Sequence, residues 1–159
     1  MSYRTIIALR YLVLLLAVTS VGCSPRLSPL YRDYTVEARQ TDDAEIRERI
    51  ETALRNAGWT VREGVTPNVV ATDLRTFRQW GLYKVEAELE VAPVGKEFVR
   101  VFIHPYRHYF TGARRKIPYL KRGLAKSVLT DLNKAFAEEG LSFIGTAQSR
   151  DRAARRKSG

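Results

Sequence analysis

The chain is poor in the residues that most often carry chemistry. Among 159 residues it has one cysteine, one methionine and two histidines. A lone thiol cannot close an intramolecular disulfide. His104 and His108 are four apart, but Pro105 between them argues against a helix, and no cysteine or nearby acid supplies a third ligand. No metal site is therefore expected. There is no nucleophile elbow, no metal-binding helix motif and no Gly-rich phosphate loop. The sequence thus predicts no catalytic residues, no cofactor and no enzymatic activity. A long apolar run is also missing. The uncharged stretch Tyr11 to Val21 falls short of the roughly 20 residues that span a bilayer. Internal repeats and low-complexity tracts are absent.

One more absence is local. Between Phe98 and Thr130 there are eight Lys and Arg and no acid. The segment from Ser24 to Glu97 holds 11 basic and 13 acidic residues, whereas Phe98 to Gly159 holds 14 basic and 4 acidic. A basic half of this kind meets polyanions: lipid headgroups, acidic polymers or an acidic protein. A generally basic, solvated surface explains much of the net charge but less of its clustering.

What is present begins at the N-terminus. Arg4 and Arg10 are followed by the apolar stretch Tyr11 to Val18 and the small residues Thr19 to Gly22 ahead of Cys23. Charge, short apolar core and small cleavage site form a secretory signal. An ordinary signal leaving a free thiol is the alternative to what Cys23 suggests. Val21, Gly22 and Cys23 resemble the lipobox of bacterial lipoproteins, with Ser20 where that family usually has Leu. The resemblance implies cleavage before Cys23 and acylation of that cysteine. It also implies a membrane anchor, since each buried CH₂ of an acyl chain contributes about 0.8 kcal/mol. In that family an Asp after the cysteine marks inner-membrane retention. Ser24 therefore implies the outer membrane of a bacterial cell envelope, facing the periplasm, where no nucleic acid is expected.

The expected organisation is a removed signal over 1–22, a lipidated Cys23 and short Pro-containing tether over 23–29, one domain over 30–147, and a basic tail without structure over 148–159. Removing the signal leaves 137 residues, Cys23 to Gly159, enough for one real core. Tyr31 to Arg39 alternates as a strand. Asp42 with Glu45 makes an acidic capping box. Ile46, Ile50, Ala53, Leu54 and Ala57 make a helical stripe, and Gly58 suits a left-handed end. Strands are expected over Trp59 to Glu63, Val69 to Trp80, Tyr83 to Val91 and Glu97 to Ile103. In the clearest of them Glu86, Glu88 and Glu90 read as a solvated face. The stretch from His104 to Ile117 reads as irregular. A second helix is expected to open at Pro118, with Leu120, Leu124, Val128, Leu132 and Phe136 as its stripe. Leu141 to Ile144 is an optional last strand. The fold class predicted is α+β: an antiparallel meander of about five strands, in the order β-α-β-β-β-β-α, with two helices on one face.

The candidate site is the basic, aromatic stretch before and into that second helix. Arg114, Arg115 and Lys116 would sit at its N-terminus, with Lys121 and Arg122 in the first turns. Cations there oppose the helix dipole by about 0.3–1 kcal/mol, a cost that a bound phosphate or carboxylate would reverse. Gly112 lets the preceding loop close. Tyr106, Arg107, Tyr109, Phe110 and Tyr119 surround these charges. Rings with cations suit a membrane interface, a glycan or a protein partner; Tyr109 and Phe110 read equally well as core.

The helix ending at Arg55 to Trp59, the antiparallel run Val69 to Ile103 and the closing helix Pro118 to Glu139 resemble the helix-grip domains of envelope lipoproteins of the barrel-assembly accessory type. That resemblance implies a non-catalytic binding or assembly domain, working in an envelope protein complex or on anionic lipid. A carrier of small hydrophobic ligands or lipid, with a cavity between sheet and second helix, is the alternative.

Overall fold

A long hairpin organises the molecule. In the computed structural model, which describes residues 30–37, 42–120 and 122–157 (without the side chains of Trp80, Arg122 and Lys157), strand β5 (Tyr83–Val94) and strand β6 (Phe98–Tyr109) pair antiparallel along their whole length. Gly95 turns the chain between them with φ at +65°, a conformation open to glycine without steric cost. Along both strands apolar side chains alternate toward one face. Ala87, Leu89 and Val91 are fully buried, as are Val99, Val101 and Ile103 opposite them.

The other elements are β1 (Tyr31–Val36), α1 (Asp43–Asn56), β2 (Val61–Glu63), β3 (Val70–Thr72), β4 (Arg75–Trp80), β7 (Arg114–Lys116), α2 (Arg122–Glu138), β8 (Leu141–Gly145) and α3 (Ala147–Lys157). The class is α+β, with an antiparallel sheet of eight strands and three helices among the described residues. The path across the sheet is β2-β3-β5-β6-β1-β8, with β4 also on β5 and β7 also on β6. Both helices α1 and α2 bury their stripes against the sheet's inner face.

Helix α1 forms where local chemistry places it. Asp42 caps it, accepting from the Asp43 N–H at 2.7 Å. At the other end Gly58 takes φ +77°, Gly58 N–H donates to Arg55 O, and Trp59 N–H donates to Leu54 O. These two bonds make a Schellman motif, which folds Trp59 onto the core. The Arg75 guanidinium donates to Ala57 O at 2.9 Å, placing a cation where the helix dipole is negative. In α2, Leu124, Val128, Leu132 and Phe136 are buried at i, i+4 spacing. Phe136 lies 4.7 Å from Tyr34, the largest fully buried side chain of β1. The Tyr34 hydroxyl donates to Asn133 Oδ1 at 2.7 Å, and burial pushes its pKa up.

Five expectations are corrected. The sheet is not a meander: β1 is inserted between β6 and β8, antiparallel to both, which gives Tyr34 neighbours on either side. The expected strand Val69 to Trp80 is two strands, β3 and β4, with a further bulge between Thr76 and Arg78. His104 to Ile117 is not irregular, because β6 continues to Tyr109 and β7 pairs back onto it. The second helix opens at Arg122 instead of Pro118. Ile117 N–H still bonds Pro105 O at 2.8 Å, so the chain stays on the sheet to that point. Arg114, Arg115 and Lys116 thereby avoid the positive end of the helix dipole.

The fifth correction is the C-terminal segment, which is helical through Lys157. Thr146 and Ser149 cap it reciprocally, Thr146 N–H donating to Ser149 Oγ at 2.8 Å and Ser149 N–H to Thr146 Oγ1 at 3.1 Å. Arg150 then reaches Asp33 on β1, donating to Oδ2 at 2.9 Å. Arg100 donates to the same carboxylate from Nε at 2.7 Å and Nη2 at 3.2 Å. Asp33 is only 2% exposed. Burial alone would raise its pKa, but the two guanidinium partners outweigh that and hold it below the usual carboxylate range. The signal segment, Cys23, the tether and Lys121 lie outside the described residues.

Candidate functional site

The residues singled out by sequence come together at the far end of the β5–β6 hairpin, but on two faces. Strand β7 pairs with β6 so that Lys116 faces Tyr106, Arg115 faces Arg107 and Arg114 faces His108. Alternation then puts Tyr106, Arg114 and Lys116 on the outer face and Arg107, Tyr109 and Arg115 on the inner face. Arg122 is the first residue of α2.

The outer face carries a diagonal ladder across β5 and β6. His108 Nδ1 lies 3.2 Å from Glu86 Oε2, the Tyr106 hydroxyl donates to Glu88 Oε1 at 2.9 Å, and His104 Nε2 lies 3.0 Å from Glu90 Oε2. Arg62 adds a contact to Glu88 at 3.3 Å. The two histidines are thus separated, each on its own carboxylate, and no group of three metal-ligating side chains occurs among the described residues.

Glu86 departs from the expected solvated row. It is 4% exposed, accepts from Thr76 Oγ1 at 3.2 Å and meets Lys84 Nζ at 2.6 Å as well as His108. Burial works to raise its pKa, but Lys84 and His108 prevail and keep the carboxyl below its ordinary value. Three donors fix it as an anion. Next to the ladder, the Arg114 guanidinium stacks 4.3 Å above the Tyr106 ring, and Lys116 Nζ lies 3.3 Å from His104 Nδ1. Burial, then donation to Glu88, raises the pKa of the Tyr106 hydroxyl.

On the inner face the register lines up Arg78 of β4, Val85 of β5, Arg107 of β6 and Arg115 of β7 in one row. Arg107 lies 5.4 Å over the Tyr83 ring, and Tyr83 pairs with Tyr109 at 6.0 Å. Sequence reading did not single out Arg78, because one arginine following Val70, Thr72, Leu74 and Thr76 in alternation carries no local mark of a site. The extra residue Phe77 in the bulge reverses the parity, and Arg75 and Arg78 both face inward.

Beyond this row the hairpin turns form a tip. Leu82 and Phe110 sit on adjoining turns, joined by a hydrogen bond from Phe110 N–H to Leu82 O at 3.3 Å. They are 67% and 77% exposed. Phe110 is therefore not core, whereas Tyr109 is half-buried. No described helix is long and apolar enough to cross a membrane. No protein-family model matches the chain, and no curated protein matches it.

Proposed function

We propose that the protein is a lipid-anchored, periplasm-facing lipoprotein of the bacterial envelope. In this reading it serves as a non-catalytic binding or assembly-accessory domain, with its basic, aromatic end resting on an anionic surface. One observation carries the reading. Arg47, Arg49, Arg55, Arg62, Arg100 and Arg150 each have a carboxylate within 4 Å. Among the described residues no ion pair to a carboxylate engages Arg107, Arg114, Arg115 or Lys116. Cations left without acids, next to exposed Leu82 and Phe110, suit a bilayer interface. Apolar tips enter it while each Lys or Arg near an anionic leaflet contributes about 1 kcal/mol. Two helices laid on one face of an antiparallel sheet also suit the helix-grip type of envelope adaptor.

Hydrogen exchange of the lipidated chain in nanodiscs tests this. Replacing phosphatidylcholine by phosphatidylglycerol is expected to slow exchange over residues 106–116 in the wild type. It should not do so after Arg114→Glu, Arg115→Glu and Lys116→Glu together. Identical exchange in both lipids would refute bilayer contact. Labelling with radioactive palmitate, lost in Cys23→Ser, checks the anchor.

A further inference from the structure

The inner-face arginine row opens on a cavity of about 360 Å³ between the sheet and the first turn of α2. Arg78, Tyr83, Val85, Arg107, Tyr119 and Leu124 supply its main walls. Nearer the centre of the sheet the same face carries Ala87 and Leu89, both fully buried. At the Val85 row that apolar pattern stops, and arginines take positions where a covered sheet would place aliphatic side chains. Neighbouring strands lie about 4.8 Å apart, so Arg78 and Arg107 leave backbones about 10 Å apart on either side of Val85. Their side chains are long enough to converge on one group above it.

Two details hold the guanidiniums at the cavity. Arg107 is stacked on Tyr83. Arg78 lies against Gly123 so closely that a Cβ there would stand 2.9 Å from its Nη2. No carboxylate lines the cavity, and no described acid forms an ion pair with either arginine. Two like charges facing one cavity without a counter-charge repel each other, and a dianion between them removes that repulsion. The volume lies at the lower end of the small-molecule range. Guanidinium forks match the oxygens of a phosphate group, while Val85, Leu124 and the rings of Tyr83 and Tyr119 offer contact to an organic body.

We propose that this cavity binds a small organic phosphate, its charged oxygens between Arg78 and Arg107 and its apolar part against Tyr83, Tyr119 and Leu124. The site does not depend on contact between the outer face and a bilayer. The shared chemistry is a phosphate monoester, whether free or the headgroup of a lipid.

Isothermal titration of the full chain in phosphatidylcholine nanodiscs with phenyl phosphate tests the proposal. One molecule per chain should bind. Phenyl β-glucoside, which keeps the ring without the charge, and inorganic phosphate, which keeps the charge without the ring, should each bind at least tenfold more weakly. Arg78→Gln and Arg107→Gln should each weaken phenyl phosphate at least tenfold with an unchanged melting temperature. Gly123→Ala, which displaces Arg78 but favours the helix, should also weaken it, separating loss of the site from loss of the fold. Arg114→Glu with Lys116→Glu, on the opposite face, should leave the affinity within twofold, so the cavity and the surface reading fail independently. Absence of binding would overturn the proposal. Wild-type affinity in Arg107→Gln would do the same, as would equal losses from the outer-face and cavity variants. Discs containing phosphatidic acid distinguish the two sources: a lipid phosphate that reaches the cavity competes with phenyl phosphate, and a soluble ligand meets no competition.

Discussion

Changing Asp33 to Asn should loosen the molecule at both ends of the chain at once. The carboxylate is 2% exposed and accepts from Arg100 and Arg150. Asn has the same shape, but it removes the charge and turns an N–H₂ toward guanidinium donors. Breaking a fully buried pair costs about 3–5 kcal/mol. Here the arginine side chains are 30% and 39% exposed, so water re-solvates part of what is lost. The expected cost is about 2–3 kcal/mol after that discount. For a domain of this size that lowers the melting temperature by about 8 °C. Circular dichroism melts at pH 7 of wild type, Asp33→Asn, Arg150→Gln and the double variant give the coupling directly. A coupling of at least about 0.5 kcal/mol is expected for groups in one network. Limited trypsin digestion should cut at Arg152 and Arg155 faster in Asp33→Asn, since α3 then has lost its clamp. A cost below about 0.5 kcal/mol, or strictly additive variants, would refute the view that Asp33 docks the C-terminal helix.

Acid and two glycines offer further tests of the fold. Asp33 and Glu86 both have pKa values below the ordinary carboxylate range, so their stabilisation is complete above the unfolded value and disappears as pH falls through the folded one. Melting temperatures should hold from pH 7 to 5 and drop below about pH 4, less steeply in Asp33→Asn; parallel pH profiles for the two proteins would count against it. Gly64→Ala would set a Cβ 2.2 Å from Val69 O, a backbone atom that cannot step aside without opening the β2–β3 connection. A loss of about 2 kcal/mol is expected in urea unfolding, while Gly81→Ala, whose Cβ meets nothing within 4 Å, should be neutral or slightly stabilising.

The elements readable from sequence were those whose causes lie close together in the chain. Helix α1 carries its own cap at Asp42 and its own stop at Gly58. The β5–β6 hairpin announces itself by alternation and by the turn at Gly95. The stripe of α2 is periodic over four turns, although its start is not, because Ile117 is held to Pro105 across the sheet. What failed to show depends on distant partners or on a single extra residue. Strand β7 is three cations long and has no hydrophobic pattern; pairing with β6 makes it a strand. Helix α3 lacks an apolar face, so the Thr146–Ser149 cap and Asp33, far away in sequence, were its only signals. The site was half legible. The basic and aromatic composition marked out one end of the molecule, but the division into two faces needed the register. Arg78 faces the row because the break between β3 and β4 and the bulge at Phe77 together set its parity.

The place of β1 in the sheet also sets a bearing. Leu30 is tied to Ile103, its carbonyl accepting the Ile103 N–H at 2.7 Å, and the chain enters β1 from the side on which β6 runs toward Tyr109. From Ile103 to Tyr109 is about 20 Å of strand. A leash of seven residues from Cys23 to Pro29 extends at most about 25 Å. Under the proposed anchoring at Cys23, that reach is enough to bring the bilayer to the end that bears Leu82, Phe110 and the cations without carboxylate partners. Under the same anchoring, a Gly-Ser insert before Leu30 would lengthen that reach and free the orientation of the domain on the bilayer.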